Sequence, residues 1–189
     1  MLSDKFVLDI LENKKNGYYV ELGAADPISG SNTYKLETDF DWTGVSFELD
    51  ETHAANFRSK RKNEVVCADA LQFDYRRYFE ENEYPEQIDY LQVDVDAGYT
   101  AGGRSLGNPS SSLLGLIALP LNKYRFSVIT FEHDYLIHYK HSAMRDAQRE
   151  ILDSLGYSLV KRLTYEDWWV DPNIIHYLDY REHFTVEAP

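Results

Sequence analysis

Cysteine occurs once in the 189 residues, so no internal disulfide can form, and Cys67, in the strand-like run EVVCADA, reads as a buried apolar side chain rather than a nucleophile. Long apolar runs are missing as well. The opening MLSDKFVLDILENKKN has no small-residue cleavage site, and its Phe6, Val7, Ile10 and Leu11 recur at helical spacing, which predicts a short helix in a cytoplasmic protein. Positive charge is scarce: 19 Lys and Arg face 32 Asp and Glu, for a formal net charge of -13. A field of that sign repels phosphate backbones and anionic lipid, so neither nucleic acid nor a membrane is expected as a partner. Repeats, low-complexity tracts and Pro/Gly/Ser linkers are absent too, and the length suits one core. A single domain is expected, with residues 1–16 as an N-terminal helix, 17–172 as the core and 173–189 as a C-terminal extension.

What is present alternates. The runs YYVEL, WTGVSFEL, EVVCAD, IDYLQVDV and FSVITFEH read as five strands, separated by the helix-compatible NTYKLETDF, ETHAANFRSKRK, YRRYFEEN and SSLLGLIALPLNKY. Such alternation predicts an α/β fold, a parallel sheet covered by helices on both faces. The helix HSAMRDAQREILDSLG should stop at Gly156. YSLVKRLT and DWWVDP then follow with too few residues between them for a crossover, so the last strand must return antiparallel. The glycine- and serine-rich AGYTAGGRSLGNPSSS, together with residues 134–141, is where substrate specificity would be set.

In an open parallel sheet, ligands bind at the carboxyl ends of the strands. The first such loop, VELGAADPISGSNT, lacks G-x-G-x-x-G and has no Lys or Arg between Glu21 and Gly30, but it does contain Glu21 and Asp26. Like charges in contact cost about 1 kcal/mol in water and several when partly buried, so these carboxylates oppose a pyrophosphate. The ligand here is expected to be neutral or cationic. S-adenosylmethionine fits, having an ammonium and a sulfonium but no phosphate: Gly23 would let the backbone approach its amino acid portion, with Glu21 and Asp26 near its positive groups. The competing reading makes Glu21 a helix cap and Asp26-Pro27 a turn. Glu48 ends strand 2 about two dozen residues beyond Gly23, where a carboxylate can accept both ribose hydroxyls of an adenosine. Asp69 ends strand 3, with Ala70 beside it, within reach of an adenine exocyclic amine.

The blocks YYVELGAADPISGSNTYKLE, WTGVSFELD, YLQVDVDAG, ITFEHD and GYSLVKRLTYEDWWVDP resemble the FkbM-type class I methyltransferases over nearly the whole span from Gly17 to Pro172. The resemblance implies a Rossmann-like sheet of seven strands in the order 3-2-1-4-5-7-6, with strand 7 antiparallel. It implies S-adenosylmethionine contacts at Glu21, Gly23, Ser31, Asn32, Thr33, Glu48, Asp69 and Asp94, and O-methylation of a sugar hydroxyl or small metabolite. Ala24, Ala25, Asp26 and Pro27 depart from the family's glycine-rich first loop.

Residues two apart on a strand share a face, so Asp94 with Asp96, and Glu132 with Asp134, form same-facing pairs if strands 4 and 5 extend that far, with His133 on the other side. Asp94 is expected at the boundary of cofactor and acceptor, with His133 or Asp96 as general base. Mg²⁺ held by Asp94, Asp96 and Glu132 would relieve the crowding of like charge. Plainer readings suffice elsewhere. RSKRKNE reads as a solvated helix end, Ser110 to Ser112 as a helix cap, and His138 and His141 as surface residues; Trp168 and Trp169 alternate faces, one in the core and one free to line a pocket. The rival functions are a nicotinamide-dependent oxidoreductase and a non-catalytic cofactor-binding module.

Overall fold

The computed structural model describes residues 2–95, 111–133 and 142–174. In chain order its elements are α1 (Leu2–Ile10), β1 (Tyr18–Leu22), α2 (Tyr34–Phe40), β2 (Thr43–Glu48), α3 (Glu51–Lys60), β3 (Glu64–Cys67), α4 (Tyr75–Glu81), β4 (Gln87–Val93), α5 (Ser111–Ala118), β5 (Arg125–Glu132), α6 (Ser142–Ser154), β6 (Ser158–Arg162) and β7 (Glu166–Val170). The strands form one sheet in the order β3-β2-β1-β4-β5-β7-β6, parallel except for β7, which runs antiparallel to both β5 and β6. The expected α/β architecture, strand order and returning hairpin are all present.

Local chemistry sets the element ends. Asp50 caps α3 by accepting from the amides of Thr52 and His53, and Asp74 caps α4 by accepting from Arg77 N. Gly156, at φ +83°, turns the chain out of α6. Pro120 cannot continue a helix, so α5 ends at Ala118, short of the expected residue 124. β3 ends at Cys67, two residues before Asp69, and β4 ends at Val93 and β5 at Glu132, all earlier than expected. The same-facing acid pairs required both strands to run on, so the alternation argument for Asp94 with Asp96 and Glu132 with Asp134 does not hold; Asp96, Asp134, His138 and His141 lie outside the described residues.

Residue alternation divides the core between two faces. Val20, Leu22, Leu91, Val93, Ile129 and Phe131 pack with Phe79 of α4, Leu116 of α5 and Leu152 of α6. Tyr19, Tyr90 and Val128 pack on the opposite face with Phe6 and Val7 of α1 and Leu36 of α2. Trp169 belongs to the first cluster and Trp168 to the second, where it stacks on Phe6 at 4.4 Å between centroids. Both indoles are therefore core, and the expectation that one lines a pocket is corrected: α1 covers the face that Trp168 occupies. Cys67 is half-buried rather than buried, because it sits on an edge strand. Among the described residues no helix is long and apolar enough to cross a membrane.

Phe79 is the centre of an aromatic group, with the rings of Tyr124 at 5.0 Å, Tyr84 at 5.1 Å and Tyr75 and Tyr78 at 6.1 Å. Phe79→Ala should cost about 3–5 kcal/mol in a urea unfolding titration, the usual range for emptying a buried aromatic site. A loss under about 1 kcal/mol would mean that the group collapses to fill the space.

Candidate functional site

The site is built where the carboxyl ends of β3, β2, β1 and β4 lie side by side. Gly23 follows β1 at φ +86°, and its amide donates to Phe47 O at 3.0 Å. A Cβ on Gly23 would meet Asp94 O at 1.8 Å, while Asp94 N donates to Leu22 O at 2.9 Å. Only glycine permits both the conformation and the approach, so this residue draws the ends of β1, β2 and β4 together.

The chain then forms a loop closed by its own polar groups. Asp26 is exposed and accepts from the amides of Ile28 and Ser29, which hold its carboxyl below the usual range. Its carboxylate thus serves the turn, as the competing reading had it. Ser31 Oγ accepts from the amides of Thr33 and Tyr34 and opens α2. Asn32 is only 7% exposed, and its Oδ1 has no hydrogen-bond partner among the described residues.

Glu21 lies beneath this loop rather than on its rim. It is 2% exposed, accepts from Thr33 Oγ1 at 3.0 and 3.1 Å and from Ser46 Oγ at 2.5 Å, and faces Gln92 across the ladder. Burial pushes its carboxyl up to about 7, against the opposing influence of Ser46, Arg61 and Thr33. A positive charge is present after all, although none lies in the loop. Of the run RSKRKNE, Arg58, Lys60 and Lys62 are exposed, but the Arg61 side chain is wholly buried, which corrects its reading as solvated. The spacing Ala54, Phe57, Arg61 already placed it on the inner stripe of α3.

One strand over, Glu48 Oε2 accepts from Ala25 N at 2.9 Å and Oε1 from Asp50 N at 2.8 Å. It therefore ties the first loop to β2, with further lone pairs remaining on a carboxylate. Leu49 beside it is 72% exposed, an apolar side chain at the rim that the sequence reading overlooked. Asp69 accepts from Leu71 N at 2.9 Å and Gln72 Nε2 at 2.7 Å. Together with Leu71, Gln72, Ser111, Leu114, Ile117 and Ala118 it lines a cavity of about 460 Å³. Ala70 is buried behind it in the core.

The structure thus brings Gly23, Glu48, Asp69 and Asp94 to one edge, with Glu21 under it and Ser31, Asn32 and Thr33 opening the adjoining helix. The second acidic group is more dispersed. Glu132 pairs in the ladder with Glu166 on the α1 side, whereas His133 is 1% exposed on the α6 side. Its Nε2 lies 3.7 Å from Asp167 Oδ1. Burial opposes the charge of Asp167, but Arg149, at 2.7 and 2.8 Å, and then His133 hold its carboxyl below the usual range. Among the described residues no three His, Cys, Asp or Glu side chains converge as a metal site, so Asp94 and Glu132 gain no third ligand there.

No protein-family model matches the chain, and no curated protein matches it. Solved structures do. A protein from Staphylococcus aureus whose name proposes a caffeoyl-CoA O-methyltransferase aligns at a TM-score of 0.59 and 12% identity over 90% of this chain and 83% of that one. A protein from Clostridium thermocellum whose name proposes an rRNA-methylase gives 0.58 and 10%, over 89% and 93%. The N-methyltransferase NodS from Bradyrhizobium japonicum gives 0.52 and 14%, over 88% and 90%. At these identities the likeness establishes the fold, which is the Rossmann-like methyltransferase fold.

Proposed function

We propose that the chain is a class I S-adenosylmethionine-dependent methyltransferase, of the FkbM type on the strength of the sequence blocks. The observation that carries this is the pairing of Glu48 at the end of β2 and Asp69 just beyond the end of β3 with a largely apolar cavity that Asp69 lines, in a chain whose first loop has no Lys or Arg. In this reading Glu48 accepts the ribose hydroxyls. Leu71, Leu114 and Ile117, with the exposed Leu49, enclose the adenine, and Asp69 faces its amine. The buried Asn32 Oδ1, without a hydrogen-bond partner among the described residues, suits an ammonium donor, and Gly23 lets the ends of β1 and β4 close together beneath the amino acid portion.

S-adenosylmethionine bound there would supply a methyl group already activated by its sulfonium. The chain's own task is then to orient the acceptor and take its proton, which positioning and one base accomplish. Asp94, next to Gly23, is the proposed acceptor-side residue; His133 and Asp96 remain candidate bases, and Mg²⁺ a candidate aid. A sugar hydroxyl or small metabolite is the proposed acceptor. The acidic balance weighs against RNA, but a protein whose name proposes an rRNA-methylase has this fold, so RNA belongs among the acceptors tested.

Transfer of label from methyl-tritiated S-adenosylmethionine to a panel of sugars, small metabolites and RNA, with Mg²⁺ and with EDTA, tests the reading. Label should enter at least one class, and Asp94→Asn should lower turnover 100-fold or more, about the contribution of a positioned base or orienting group. No transfer to any class by a protein that still binds the cofactor would favour the non-catalytic module.

A further inference from the structure

The first loop has Gly23 and Gly30 at positive φ but Ala24, Ala25, Asp26 and Pro27 between them, and it is held on both limbs by one side chain. Arg61 leaves the C-cap of α3 and stacks on Phe57 with its guanidinium 4.6 Å from the ring centre. Its Nη1 donates to Pro27 O at 3.0 Å and Ser31 Oγ at 3.2 Å, its Nη2 to Thr33 Oγ1 and Tyr19 OH at 3.1 Å each, and its Nε to Glu37 at 2.7 Å. Five bonds use all five donors of a guanidinium, a geometry that lysine cannot reproduce. Pro27 lies on the outgoing limb of the loop, and Ser31 and Thr33 on the returning limb; Thr33 passes the connection to Glu21.

From this geometry we infer that Arg61 is the positioning residue of the amino acid half of the cofactor site. It acts through the loop and touches no ligand. The adenosine half rests chiefly on other supports, the Asp69 to Ile117 cavity and Glu48 at the end of β2, which meets the first loop only at Ala25 N; none of them bonds to Arg61. The inference rests on the methyltransferase reading and divides its site into two halves that meet at the Glu48–Ala25 bond, with Arg61 supporting only the first.

That division supplies the test. Isothermal titration compares S-adenosylhomocysteine, which has the amino acid portion, with 5′-methylthioadenosine, which lacks it, on the wild-type protein, Arg61→Lys and Arg61→Gln. Both variants should weaken S-adenosylhomocysteine tenfold or more and leave 5′-methylthioadenosine within twofold. Arg61→Lys keeps the charge opposite Glu37 and provides the comparison should Arg61→Gln not fold. Equal weakening of both ligands would make Arg61 a general structural residue, and no weakening of either would remove it from the site; either result overturns the inference. Failure of the wild-type protein to bind either ligand would overturn the methyltransferase reading beneath it.

Discussion

Glu21→Gln is expected to make the protein more stable above pH 7 and a poorer binder of S-adenosylmethionine. The carboxyl is buried and lifted from 4.5 to about 7, so between those values the folded chain holds a proton that the unfolded chain has lost. Stability from this group is therefore fully present below about pH 4.5, falls as pH rises through the window, and is lost above pH 7. At about 1.4 kcal/mol per pKa unit, glutamine should recover on the order of 3 kcal/mol at pH 8 and flatten that part of the stability profile. Glutamine can still accept from Thr33 and Ser46, so the loop keeps its anchor. The lost negative charge beneath the loop should weaken S-adenosylmethionine about tenfold, through its field at the proposed ammonium position and not through a contact. Opposite signs in stability and binding separate this outcome from simple damage, which lowers both. Urea unfolding between pH 5 and 8, with cofactor titration at pH 8, checks it; a destabilised variant, or one that binds at full strength, would contradict the assignment of Glu21.

Gly23→Ala should remove cofactor binding altogether and destabilise by more than about 3 kcal/mol, among the larger effects of single substitutions. Two causes combine: the positive φ, and a methyl group placed 1.8 Å from Asp94 O, a backbone atom that cannot move without parting β1 from β4. Gly156→Ala is the control. Gly156 has nearly the same φ, +83°, but its Cβ would meet nothing within 4 Å. It should therefore cost only the conformational part, about 1–2 kcal/mol, and leave binding intact. Thermal unfolding of both variants with and without S-adenosylhomocysteine distinguishes them; similar losses would mean that the contact with Asp94 does not hold the site.

The sheet was legible because its signals are local. Buried parallel strands read as short apolar runs, and the short link between YSLVKRLT and DWWVDP forces an antiparallel return. Glu48, the last residue of β2, and Asp69, two residues beyond the end of β3, were legible for the same reason, since the residues that close a strand come to the carboxyl edge wherever the strand lies. Depth was harder to read. Glu21 is one residue short of its strand's end, and only the packing of α2 and α3 over it turns a rim residue into a buried one. Arg61 resembled its solvated neighbours in composition, and its direction depended on the phase of α3. Trp168 disappeared under α1, a contact between residues far apart in sequence that no local pattern encodes. The cavity walls Leu71, Leu114 and Ile117 come from separate loops and helices that meet only in the folded chain.

Titration of the wild-type protein with S-adenosylhomocysteine and with NADH, repeated on Glu48→Ala, bears most directly on the central claim, that a phosphate-free adenosine ligand sits against the acids at the ends of β2 and β3. Saturable binding of S-adenosylhomocysteine, none of NADH, and at least tenfold weakening in Glu48→Ala is the predicted result. Tight NADH binding without any heat from S-adenosylhomocysteine would contradict it.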